Sequence, residues 1–159
     1  MRAVGWLAMV VAVAGLLPAA AQGQGEAAAV RAALDRYLAR FSSGQIDAIA
    51  TQSYLAPSIN TTADRVGIAI TAADVRQRFE ATLATLVAQG YDRSETRTAN
   101  VCMLSEVAAV VSARFARLRR DGTVLSEIGS TYVFVKTGDG WRIAAQLAHD
   151  PARQLRCAD

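Results

Sequence analysis

The stretch VLSEIGSTYVFVKTGDGWRIAAQLAHD, Val124 to Asp150, constrains the fold more than any other part of the chain. Two runs rich in β-branched and aromatic residues flank Thr137-Gly138-Asp139-Gly140, and an Asp-Gly turn between such runs is the strongest short-range signal for a β-hairpin. Both faces of these runs are apolar: Ile128, Tyr132 and Phe134 alternate to one side, Leu125, Val133 and Val135 to the other. A sheet that stands alone usually keeps one face polar. The outer face is therefore expected to pack on a second copy of the chain, as a homodimer.

The 52% hydrophobic content is inflated at the front, where Arg2 precedes an apolar run from Ala3 to Leu17. Pro18 then breaks the pattern, and small residues at Ala19 and Ala21 suit a cleavage site, so residues 1–21 are expected to be a signal peptide cut just before Gln22. A bilayer span needs about 20 apolar residues, which argues against a stable membrane anchor. No Cys follows the cut to take a lipid. The mature chain is expected in the periplasm or outside the cell. Removing this segment leaves 138 residues, enough for one core, and lowers the formal charge from +3 to +2. So small a surplus, with 6% aromatics, excludes nucleic acid as a partner.

Residues 22–28 are small and polar and are expected to form a disordered leader before a domain spanning 29–150, with a C-terminal tail at 151–159. Val30, Leu34, Tyr37, Leu38 and Phe41 recur at helical spacing and Gly44 supplies the stop. Ile46 to Gln52 predicts a short second helix, and Tyr54 to Ile70 two short strands around a loop. Thr71 with Asp74 three positions on forms a helix start, followed by the stripe Val75, Phe79, Leu83, Leu86 and Val87 and a stop at Gly90. Only strands follow: about Thr96 to Leu104, Val107 to Leu118, Val124 to Lys136 and Trp141 to His149. The order is α+β, with a curved sheet wrapping around the helices.

Two cysteines, Cys102 in a strand and Cys157 near the end, leave two readings in an oxidising compartment. They form a disulfide that pins the tail to the sheet, or Cys102 is simply buried and Cys157 is a loose thiol.

The first-helix segment VRAALDRYLARFSSGQIDAIA, the helix beginning at Thr71 and the ending TYVFVKTGDGWRIAAQLAHD together resemble the nuclear-transport-factor-2-like superfamily, which includes ketosteroid isomerases and SnoaL-like polyketide cyclases. The Gly90-Tyr91 pair and the "DG…TYV…DGWRI" ending look most like an uncharacterised bacterial exported group within it. The resemblance implies a cone-shaped α+β fold, with a strongly curved mixed or antiparallel sheet around about three N-terminal helices. It says little about function, because the scaffold hosts enzymes, binding proteins and assembly modules alike. Carried over from the ketosteroid isomerases, Tyr37 falls on their oxyanion-stabilising tyrosine and Tyr132 where they keep a protonated aspartate. Their general base falls near Asn60 to Thr62, where this chain has no carboxylate, so that mechanism lacks its proton acceptor.

The candidate pocket residues are Tyr37, Tyr54, Tyr132 and His149. Each tyrosine has a plainer reading as core with its hydroxyl satisfied, and Ser130 shares the Tyr132 face. His149, the only histidine, continues the alternation Trp141, Ile143, Ala145, Leu147, which puts it at the pocket floor or rim; its plainer reading is structural. A lone histidine makes no metal site. Glu127 needs a donor such as Arg114 if it points inward, and alternation with Tyr132 turns it outward. Arg114, Arg117, Arg119 and Arg120 cluster at a hairpin end, as a solvated strand edge or a meeting point for an anion. No phosphate loop, nucleophile elbow or zinc pair is present, and no cofactor is expected.

Three functions fit. The first is a non-catalytic module binding a small hydrophobic molecule with a carbonyl or hydroxyl in an apolar pocket. The second is an isomerase, cyclase or dehydratase on a small carbonyl compound, with Tyr37 and Tyr132 as donors and His149 as base. The third is a structural dimerisation module with a filled core.

Overall fold

The computed structural model describes residues 19–157. The expected signal segment lies outside the described residues except for Ala19 to Ala21. Helix α1 spans Ala19–Ser42, a short helix α2 Ile46–Ala48 continues into a π-helical turn Ile49–Ser53, and α3 spans Ala72–Ala88. Six strands, β1 (Tyr54–Thr61), β2 (Val66–Ala69), β3 (Tyr91–Ser105), β4 (Ala108–Arg119), β5 (Val124–Thr137) and β6 (Gly140–His149), form one curved sheet in the order β2-β1-β6-β5-β4-β3. β1 runs parallel to β6 and the other pairs are antiparallel, so the sheet is mixed.

The helices form as their sequences dictate. Gly44 (φ 70°) ends the first helical segment and Gly90 (φ 87°) terminates α3, both in the left-handed region that a residue with a Cβ resists. At the start of α3 the Asp74 amide donates to Thr71 Oγ1 (3.2 Å) while the Thr71 amide donates to Asp74 Oδ2 (2.8 Å), a reciprocal capping box. Val75, Phe79 and Leu86 are buried along the expected stripe, whereas Val87 is exposed.

Helix α1 begins earlier than the periodicity suggests. The segment read as a leader, residues 22–28, forms turns of α1, because its alanines are strong helix formers and Glu26 is tied to the hairpin. Trp141 Nε1 donates to Glu26 Oε2 at 2.9 Å and Lys136 Nζ to Oε1 at 2.7 Å. These contacts hold the Glu26 carboxyl below its ordinary range, first through the Lys136 hydrogen bond.

Val30, Leu34, Tyr37 and Phe41 of α1 pack with Phe79 of α3 into the concave face, against Val111, Phe115, Tyr132, Phe134 and Ile143. Register shifts in β3, between β4 and β5, and between β5 and β6 bend the strands around this core.

The outer face carries a second structure. Cys102 and Cys157 form a disulfide, with Cα atoms 5.5 Å apart, which selects the bridged reading of the two cysteines. The tail it anchors crosses the face. Leu155 donates its amide to Ser112 Oγ (3.0 Å), and Asn100 Nδ2 donates to the Leu155 carbonyl (2.9 Å). Thr98 Oγ1 meets Gln154 Oε1 at 2.9 Å. Part of the surface expected to receive a second subunit is thus covered by the chain's own end, which leaves half-buried Val133 and Val135 and exposed Leu147 on that face.

The bridge closes a loop with a sequence separation of 55. Replacing both cysteines by serine is expected to lower the unfolding free energy by roughly 3–4 kcal/mol in urea melts, by the loop-entropy argument. It should also release the Leu155 amide to fast hydrogen exchange while the strand amides of β4 and β5 stay protected.

Candidate functional site

Between α1, α3 and the concave sheet lies a cavity of about 680 Å³, within the usual range for small-molecule sites. Leu38, Phe41, Phe79, Phe115 and Ile128 supply its apolar wall; Tyr37, Tyr132, Ser130, Gln146, Asn60, Arg78 and Arg117 supply polar groups.

Its position follows from side-chain size along the strands. Toward the β5–β6 turn the inward positions are Phe134, Trp141 and Ile143, which fill the space completely. Further along they are Tyr132, Ser130, Gln146 and Ala148, which do not.

A bulge decides which residues of β6 face inward. Phe134 pairs with Ile143 but Val133 pairs with Ala145, so one extra residue of β6 interrupts the alternation at Ala144. Beyond it the faces exchange. Gln146, opposite Tyr132, and Ala148, opposite Ser130, turn inward, whereas Leu147 pairs with Thr131 and His149 with Gly129 on the outer side. The expectation that His149 shares the Trp141 and Ile143 side fails for this reason. His149 borders the cavity mouth, yet its imidazole is committed elsewhere: Nε2 is 3.0 Å from Thr131 Oγ1 and Nδ1 2.8 Å from the Asp150 carbonyl oxygen. Thr131 Oγ1 in turn donates to Ser112 Oγ at 3.1 Å, under the C-terminal tail. His149 therefore belongs to the polar network of the outer face.

The three tyrosines do come together. Tyr37 lies edge-on to Tyr54 (ring centroids 5.5 Å, 74°) and to Tyr132 (5.9 Å, 64°). Tyr37 and Tyr132 border the cavity, while Tyr54 is fully buried behind it and donates from its hydroxyl to Gln146 Oε1 at 2.7 Å. Gln146 Nε2 then sits 3.5 Å from both Ser130 Oγ and the Tyr132 hydroxyl. Burial pushes all three phenols above the ordinary tyrosine value, Tyr54 and Tyr132 well above it. They are neutral hydrogen-bonding groups at physiological pH.

Asn60 begins the stretch, Asn60 to Thr62, on which the resemblance places the isomerase base. Its Oδ1 accepts from Arg78 Nη1 at 2.7 Å, and it sits over Gly67, where a Cβ would lie only 2.6 Å from that oxygen. An amide there orients a guanidinium and takes no proton. Glu127 points outward and is paired with Arg114, whose Nε donates to Glu127 Oε2 at 2.9 Å. The arginine cluster is thereby divided: Arg114 serves the outer face, Arg119 donates to the Val124 carbonyl, and Arg117 alone turns into the cavity. Among the described residues, no group of His, Cys, Asp and Glu is placed to hold a metal, and no helix is long and apolar enough to cross a membrane.

Residues 26–151 match the family model described as NTF2-like protein (DUF6841), which covers most of the chain. The chain belongs to this NTF2-like family. No functionally curated protein matches it. Solved structures agree on the NTF2-like fold. An NTF2-like protein with a cystatin-like fold from Novosphingobium aromaticivorans is 17% identical with a TM-score of 0.67, over 82% of this chain and 84% of that one. A function-unknown protein of Mycobacterium tuberculosis is 15% identical with a TM-score of 0.67, over 90% and 79%. A putative calcium/calmodulin-dependent protein kinase II association domain from Xanthomonas campestris is 18% identical with a TM-score of 0.56, over 75% and 83%. At such identities the likeness extends to the fold alone. Within this NTF2-like chain, Gln146, Asn60, Arg78 and Arg117 are the cavity groups that the pattern of the sequence does not single out as pocket residues.

The seat of His149 depends on Gly129, where an added Cβ would lie 2.5 Å from His149 Nδ1 and 2.9 Å from the Asp150 carbonyl oxygen. Gly129→Ala should expel the imidazole from Thr131 and destabilise the protein by about 1–3 kcal/mol, the usual cost of overpacking. Loss of the Thr131 contact in the imidazole ¹⁵N spectrum, alongside a lowered melting temperature, is the expected result.

Proposed function

We propose that this is an exported, non-catalytic module that binds a small, largely apolar molecule in the cavity between α1, α3 and the concave sheet. The observation that carries the reading is the cavity itself, of about 680 Å³, whose hydroxyl and amide groups Tyr37, Tyr132 and Gln146 are held in place from behind by Tyr54. Neutral donors around an apolar space suit a ligand with a few polar atoms.

The enzyme alternative asks more of the geometry. It needs a proton acceptor within hydrogen-bond reach of the substrate, and the imidazole of His149 is engaged by Thr131 and the Asp150 carbonyl. The stretch on which the resemblance places the isomerase base, Asn60 to Thr62, has no carboxylate, and Asn60 there holds Arg78. Export is supported by the Cys102–Cys157 bridge, since disulfides persist in oxidising compartments. Assembly into a homodimer is proposed only through the part of the outer face that the tail leaves open, around Val133, Val135 and Leu147.

The test is displacement of the uncharged dye Nile red by a series of six- to ten-carbon ketones and alcohols, with ketone α-proton exchange followed by NMR in D₂O. Ketones should displace the dye without accelerated exchange. Tyr132→Phe or Gln146→Ala should weaken them several-fold, as expected for a lost hydrogen bond of about 1 kcal/mol, and His149→Ala should leave them unchanged. Exchange that accelerates with the protein and is lost in His149→Ala would favour the isomerase reading; no binding of dye or ketone would leave the structural module.

A further inference from the structure

The cavity is not neutral, and among the described residues neither of its two arginines is paired with an acid. Arg117 projects from the inner face of β4, opposite Ser126 of β5 and Ser94 of β3, and its Nε is buried with no hydrogen-bond partner among the described residues. Arg78 projects from α3. Its guanidinium lies 5.1 Å from the centroid of Tyr54 and 4.9 Å from that of Phe79, and Nη1 is held by Asn60, while Nη2 is likewise buried without a partner. Neither arginine joins an ion pair among the described residues; Arg40 and Arg142 also lack one, but they donate to Ser53, Gln52 and the Thr51 and Tyr54 carbonyls.

Two carboxylates, Glu127 and Asp150, border the cavity mouth, but both are engaged by other groups. Glu127 is bound to Arg114, and Asp150 Oδ1 accepts from the Ala152 amide at 2.8 Å. Burial lowers the pKa of Arg117 below its ordinary value, and the groups that oppose that shift are the phenols Tyr37, Tyr91 and Tyr132 rather than any acid. A guanidinium removed from water without an anion is costly, so natural folds pair such groups or present them to a ligand.

We infer that the molecule bound in this cavity carries a carboxylate, received by Arg117 from the sheet and Arg78 from the helical wall, with its apolar body against Leu38, Phe41 and Phe115. The inference rests on the small-molecule-binding reading and gives that ligand its chemical class. Guanidinium nitrogens present parallel donors that match the two oxygens of a carboxylate. Arg78 is already oriented, clamped between Asn60 and two aromatic rings, so little rotamer freedom is lost on binding. A phosphate fits the lining less well. The helical residues that border the cavity come from the last turns of α1 and the middle of α3, so no helix start aims its free amides at the ligand. The neutral phenols of Tyr37 and Tyr132 can serve either oxygen without repelling its charge.

The experiment is isothermal titration of the full chain with octanoate and 3-phenylpropanoate, each against its own primary amide, and with octyl phosphate. The acids should bind about 10- to 100-fold more tightly than the amides, the worth of a hydrogen bond to a charged group. That ratio should collapse to about unity in Arg117→Met, shrink in Arg78→Met and be largely kept in Arg117→Lys. In the absence of ligand, Arg117→Met should melt at a higher temperature than the parent, because it removes an uncompensated buried charge. A lower melting temperature would mean that Arg117 is compensated internally, and would overturn the inference. Equal affinities for acid and amide, or tighter binding of octyl phosphate than of octanoate, would overturn it too while leaving the binding cavity in place. If neither acids, amides nor Nile red bind, the cavity reading itself falls, and this inference with it.

Discussion

Tyr37 is the point through which the concave side of the molecule is joined. Its ring contacts Phe41 on the same helix, Tyr54 of β1, Phe79 of α3 and Tyr132 of β5, all at centroid distances between 5.5 and 6.4 Å. Tilted and edge-to-face pairs of this kind each contribute about 0.5–1.5 kcal/mol beyond the area they bury. Three other elements, β1, α3 and β5, are thus fixed against one side chain of α1. The same contacts decide where the core stops, because the rings pack toward the β5–β6 turn and the smaller inward residues beyond them leave the cavity.

The elements were legible wherever their signals were local. The β5–β6 hairpin has its Asp-Gly turn, α3 has the Thr71–Asp74 box, and the first helix carries a stripe that ends before Gly44. The start of α1 was not legible from periodicity, since residues 22–28, with Gly23 and Gly25 among them, have no apolar stripe and their helix is fixed by a contact from Glu26 to Trp141, distant in sequence. The site was legible only in part. Tyr37 and Tyr132 were expected in the pocket and border it, because each follows an uninterrupted local period. His149 keeps only the rim and Gln146 turns inward because a strand period of two predicts faces only as long as no residue is inserted, and the bulge at Ala144 inserts one. Nothing in WRIAAQLAH marks that position; the two alanines are compatible with either register.

The two faces of the sheet differ in their polar groups, although Gln154 Nε2 in the tail is also buried without a partner among the described residues. On the outer face His149, Thr131, Ser112 and the Leu155 amide form a continuous chain of hydrogen bonds, closed over by the disulfide-anchored tail. Buried polar groups satisfied in this way stabilise one arrangement and offer nothing to a ligand. The concave face holds donors without acceptors, at Arg117 and at Arg78, beside phenols that burial keeps protonated. Stability alone would favour apolar residues at such positions. Their presence separates the candidate site from the ordinary satisfied polar core that surrounds it, a distinction that burial by itself does not make, since Ser112 and Tyr132 are almost equally buried.

This contrast also orders the functional readings. A purely structural module needs a filled interior and has no use for an uncompensated guanidinium, whereas a carbonyl isomerase needs a base where the chain supplies Asn60. Asn60 instead takes one nitrogen of Arg78 and rests on Gly67, whose missing side chain makes the room. Asn60 aims a cation and takes no proton. On the carboxylate-binding proposal, the polar groups of this cavity hold a charged ligand in place and move no proton.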